Sequence, residues 1–156
     1  MGNMWELAAY PIEELFEMAA IVEQGGFDFY ARLIARATDT RVKNELKFLR
    51  DEEGVHKAWF LDQLRSRGGA PRGSVTPRLQ TMLDSEFLEP LDSIFRSGEV
   101  SDTDKTLSFG SALEQKSIDF YTALEGSVGS AQSVNLRKII AQEEDHKRKL
   151  EVIRAF

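Results

Sequence analysis

The sequence predicts an all-α fold, a bundle of four long helices with one long crossover between the second and the third. Three observations predict it. Four long segments repeat apolar residues at helical spacing, and nowhere is there the two-residue alternation of a half-buried strand. Turn signals at Thr38-Asp39-Thr40 and at Ser127–Ser130 leave only short links within the first and the last helix pair. The stretch 68–100, by contrast, is too long for a tight connection. At 156 residues the chain is read as a single domain, 1–156, able to bury its own core.

Helix 1, about 11–37, begins at Pro11, whose missing N–H costs nothing in a first turn. Ile12, Leu15, Phe16, Ala19, Val22, Glu23, Phe27, Tyr30 and Ile34 trace its one apolar stripe. The turn at Thr38-Asp39-Thr40 supplies an N-cap for helix 2, about 41–67, and Gly68-Gly69-Ala70-Pro71 stops that helix. The crossover 68–100 contains Pro71, Pro77, Pro90 and Gly98, yet Leu79, Met82, Leu83, Phe87, Leu91, Ile94 and Phe95 keep helical spacing. It is expected to hold a short amphipathic helix, about 78–96, with Pro90 as its point of interruption. Helix 3, about 103–126, opens at Ser101-Asp102-Thr103-Asp104, and helix 4 covers about 130–155.

The chain repeats itself. Glu23–Leu33 and Glu114–Leu124 share six of eleven residues, and each copy is followed by a glutamate three residues before a histidine, Glu53 with His56 and Glu143 with His146. These are the only two histidines. Residues three apart on a helix point the same way, so each Glu-x-x-His can present both side chains to one centre. Glu23 and Glu53 are equidistant from Thr38, and Glu114 and Glu143 straddle the turn beside Gly129. In antiparallel hairpins such pairs lie at one height, which brings all six side chains into one layer of the bundle. Two copies of Glu…Glu-x-x-His are the ligand set of a dinuclear metal site in a four-helix bundle. Four buried carboxylates without cations would otherwise be costly or protonated. Two neighbours compete for notice. Glu144 faces nearly the opposite side from His146, and Glu52 stands four residues before His56, but only Glu53 reproduces the spacing of the second copy.

Oxygen and nitrogen donors without thiolate suit iron or manganese, and zinc also binds such sets. Two ferrous ions would balance four carboxylates. The chain has no cysteine, which removes zinc ribbons, iron–sulfur clusters, disulfides and thiol nucleophiles, and suits a cytoplasmic protein. A net charge of −6 argues against nucleic acid as a partner. No apolar run approaches the ~20 residues of a membrane span, and the N-terminal stretch lacks the regions of a signal peptide. Glu6 stands where a myristoylation signal needs Ser or Thr.

At these residues the chain resembles the rubrerythrin-like branch of the ferritin-like superfamily, over all four long helices. The resemblance implies a ferritin-like bundle in which Glu53 and Glu143 bridge two iron ions. Glu23 with His56 would cap one ion, and Glu114 with His146 the other. It also implies supporting roles for Tyr30 and Tyr121, each seven residues after a terminal glutamate. Two departures stand out. There is no cysteine for a rubredoxin-like domain, so electrons would come from ferrous iron or an external donor of the rubredoxin type. Ser117 occupies the position at which rubrerythrins carry an extra glutamate that exchanges as a ligand during peroxide reduction. The six-ligand set is therefore more similar to a ferroxidase centre.

Gly26 and Ser117 are equivalent in the repeat, each one turn beyond a terminal glutamate. They suit either open volume beside the metals for dioxygen or hydrogen peroxide, or close packing of helices. The expected function is a di-iron oxidoreductase acting on dioxygen or peroxide. The alternatives are a non-catalytic metal-binding or iron-handling protein and a di-iron hydroxylase. A homo-oligomer is also compatible: Trp5, Tyr10 and Phe16 fit either a contact between copies or an N-terminal helix packing on its own bundle.

Overall fold

The structure, a computed structural model, describes residues 6–98 and 103–155. Trp5, the Met1-Gly2 start, the end of the crossover at Val100 and the Ser101-Asp102 opening of helix 3 lie outside the described residues. Among the described residues the chain is all-helical. The elements are α1 (Ile12–Arg36), α2 (Thr40–Ser66), α3 (Pro77–Leu83), a π-helical turn (Asp84–Leu88), α4 (Glu89–Arg96), α5 (Thr103–Glu125) and α6 (Ser130–Arg154). The helix α1 packs along α2 and α5 along α6, and the two hairpins meet through α2 and α6. The four long helices fall within a residue or two of the expected bounds.

Local chemistry sets the ends. Pro11 sits at the N-cap of α1, one position before the expected first turn, where its carbonyl accepts from the amides of Glu14 and Leu15. The Asp39 carboxylate caps α2 by accepting from Arg41 N at 2.8 Å and Val42 N at 3.3 Å. Gly68 closes α2 with φ of 81°, a left-handed backbone that side chains disfavour. The loop that follows is fastened to α1: Glu17 accepts from Arg72 N at 2.5 Å and Glu14 from Thr76 N at 3.1 Å.

The crossover helix continues through Pro90 rather than breaking there. Proline carries no N–H for the carbonyl four residues back, that of Glu86, and the chain widens into a π-turn just upstream. The Lys116 ammonium from α5 donates to the Glu86 carbonyl at 3.1 Å and also pairs with the Glu86 carboxylate at 3.2 Å. The lost backbone bond is thus replaced by one that ties the crossover to α5.

Apolar side chains form two clusters. One contains Leu15, Phe16, Phe60, Leu64, Phe120, Tyr121, Leu136 and Ile139. The other contains Phe29, Tyr30, Leu33, Leu46, Leu49, Leu107, Leu150 and Ile153. Along α1 and α6 the first cluster precedes the second, and along α2 and α5 the order reverses. Phe16 is fully buried against Trp59 and Phe60, and Tyr10 packs on the same cluster, so both serve the bundle's own core. Further along α1 Phe29 is buried where the stripe predicts Phe27, held among Tyr30, Phe95 and Phe109.

Candidate metal centre

Between the two apolar clusters lies a polar layer. The six residues singled out by the repeat, Glu23, Glu53, His56, Glu114, Glu143 and His146, are all buried there. They form two groups, Glu23, Glu53, His56 and Glu143 on one side and Glu53, Glu114, Glu143 and His146 on the other. Within each group, one oxygen or nitrogen from every residue lies within 4.8 Å of the rest. Glu53 and Glu143 belong to both. The two imidazole rings face each other nearly parallel, with centroids 5.9 Å apart.

Both histidines turn Nδ1 inward. His56 Nδ1 lies 2.8 Å from Glu143 Oε1 and 3.6 Å from Glu23 Oε2. His146 Nδ1 lies 2.9 Å from Glu53 Oε1 and 3.5 Å from Glu114 Oε1, yet it makes no hydrogen bond to either. Buried polar atoms are ordinarily satisfied. Here Oε2 of Glu23, Oε1 of Glu53, Oε2 of Glu114, Oε2 of Glu143 and Nδ1 of His146 are buried without a hydrogen-bond partner, all in one layer. Orphaned oxygen and nitrogen donors that converge this closely are what a cation satisfies, so these residues fit a metal ion.

The repeat is visible in the contacts around the layer. Tyr30 OH donates to Glu114 Oε1 at 2.5 Å, and Tyr121 OH donates to Glu23 Oε1 at 2.6 Å. Each tyrosine engages one oxygen of the terminal glutamate in the other hairpin and leaves the second oxygen buried without a hydrogen-bond partner. Burial first, then the adjacent carboxylate (Glu114 for Tyr30, Glu23 for Tyr121), pushes both phenols well above their ordinary value, so they keep the protons they donate. Lys57 donates to Gln24 and Lys147 to Gln115, at 2.6 and 2.5 Å, tying the helices of each hairpin together beside the layer.

Glu144 is exposed, as its register implied. Glu52 does something its sequence position did not reveal. It places Oε1 2.8 Å from Nε2 of His146, in the other hairpin. Its counterpart in the repeat, Gln142, places Oε1 2.6 Å from Nε2 of His56. Both partners are acceptors, so each Nε2 is placed to donate to them while each Nδ1 faces the carboxylates of the layer. The available signal was modest: Glu52 and Gln142 each directly precede the glutamate of a Glu-x-x-His.

The volume beside Gly26 is not open. A Cβ there would lie 2.7 Å from Oε2 and 3.2 Å from Cδ of Glu53, so glycine lets α1 admit the Glu53 carboxylate. Close packing does explain Gly25, where a Cβ would meet Leu91 at 2.9 Å. Ser117 is buried and donates to the Leu113 carbonyl at 3.3 Å. No helix is long and apolar enough to cross a membrane, among the described residues. In comparisons with known proteins, no family model, no curated protein and no solved structure matches the chain.

Proposed function

We propose that this chain is a di-iron carboxylate protein with a ferritin-like bundle, an oxidoreductase that reacts with dioxygen or hydrogen peroxide. The observation that carries the reading is the pair of buried Glu/His groups sharing Glu53 and Glu143. The helix directions support the ferritin-like arrangement: α2 and α5 meet the two clusters in the same order and are joined by the crossover.

In this reading Glu53 and Glu143, common to both groups, would serve two ions, Glu23 and His56 would hold one of them, and Glu114 and His146 would hold the other. Two iron ions held there would supply the electrons for reducing dioxygen or peroxide. The chain's own work is to hold, orient and dry the site. Tyr30 and Tyr121 fix the terminal carboxylates through Oε1. Glu52 and Gln142 orient the imidazoles through Nε2. The apolar clusters above and below exclude bulk water from the layer.

Ser117 cannot supply an exchanging carboxylate. The iron-loaded protein is therefore expected to react readily with dioxygen and more slowly with peroxide. Ser117→Glu places a carboxylate one turn from Glu114 and should raise the peroxide-to-dioxygen rate ratio. Stopped-flow measurement of both reactions on both proteins tests this. A loaded protein inert to both oxidants would leave metal binding without redox catalysis.

A further inference from the structure

The two halves of the layer are alike in their glutamates, histidines and tyrosines but differ behind the imidazoles. Glu52 and Gln142 occupy equivalent positions, one residue before Glu53 and Glu143, and each reaches Nε2 of the histidine in the opposite hairpin. One is a carboxylate and the other a neutral amide. The two rings are otherwise similarly placed, both buried and both with Nδ1 toward the shared glutamates.

We infer that Glu52 and Gln142 are positioning residues that make the two metal subsites unequal, the Glu114/His146 subsite binding its ion more tightly than the Glu23/His56 subsite. The inference rests on reading the Glu/His layer as a dinuclear centre. An imidazole whose N–H donates to a carboxylate is a more basic, more electron-rich ligand than one whose N–H donates to an amide. The Glu52 carboxylate touches only His146 directly and acts on His56 through space, so its effect is unequal between the two subsites. Its side chain is 23% exposed, so it links the fully buried His146 to the protein surface. Lys149, one turn beyond His146 on α6, pairs with Glu45 rather than with Glu52, and so leaves this charge for the histidine. A two-metal site built on a sequence repeat is thereby given an order of filling.

The test is titration of metal-free protein with Co²⁺, followed by calorimetry and by the shifted, solvent-exchangeable N–H proton resonances of metal-bound histidines. Wild type should bind two ions in separable steps, with one such resonance appearing at the first equivalent. Glu52→Gln should weaken the tighter step about 10- to 100-fold, narrow the gap and move that first resonance. Gln142→Glu should strengthen the weaker step and move only the second resonance. Two equal steps in wild type, or a first resonance that responds to Gln142→Glu and not to Glu52→Gln, would overturn the inference while leaving the dinuclear reading intact. Folded wild type that binds no Co²⁺ would remove both.

Discussion

Glu53 stands at the meeting point of both ligand groups, and its electrostatics follow from that position. Burial, then the carboxylates of Glu114 and Glu23, push its pKa well above the ordinary 4.5. For both histidines burial pulls the pKa down. The negative carboxylates facing them, Glu23 first at His56 and Glu114 first at His146, outweigh it and leave both above 6.5. Glu23 moves the other way: burial raises it, but its polar neighbours Glu53, His56 and Tyr121 leave it below 4.5. The sign of the pH dependence follows. Without metal, the folded state keeps protons on Glu53 and on the histidines that the unfolded chain releases, so stability falls as pH rises above the ordinary values. The depressed Glu23 adds stability that is already complete above 4.5, so it does not reverse the trend. Chelated protein should therefore lose thermal stability from pH 5 to about pH 8. Metal-loaded protein should show the opposite slope, because ligation requires the same protons to leave. Thermal denaturation of both forms across this range checks it, and parallel slopes would contradict it.

Among the elements, the crossover shows best where sequence and structure part. Its apolar spacing and its prolines sufficed to place a helix, and Pro90 sufficed to flag an irregularity. What the sequence did not disclose was the repair, because Lys116 lies in another helix. Lys116→Ala removes the partner of the Glu86 carbonyl and should cost about 1 kcal/mol of stability, the scale of one hydrogen bond. In a Pro90→Ala background an amide is again available to that carbonyl, so the same substitution should cost less. Denaturant unfolding of the four proteins measures this coupling, and identical losses in both backgrounds would mean Lys116 acts elsewhere. The long helices were legible for a simpler reason: each has turn chemistry at its ends, as at Asp39 and Gly68, and a stripe that meets a core. Glu52 and Gln142 were not legible, since their partners lie across the bundle and helical spacing speaks only within one helix. Gly26 was legible as an anomaly inside a helix, but its cause is a carboxylate on α2.

At the scale of the whole molecule, a polar layer divides one bundle into two apolar clusters. That division has a cost: four carboxylates leave water, and several of their atoms find no hydrogen-bond donor. A bundle of this size could have packed an apolar layer there instead, so the account stands on cations completing it. The most direct test is metal content. Protein reconstituted with Fe²⁺ under anaerobic conditions and then desalted should retain about two ions per chain, the complement of a dinuclear site. Glu144→Ala, on the exposed face, should retain as much, and Glu143→Ala, which removes a residue common to both groups, should retain far less. Folded wild-type protein without tightly held metal, or equal loss from Glu143→Ala and Glu144→Ala, would contradict the account.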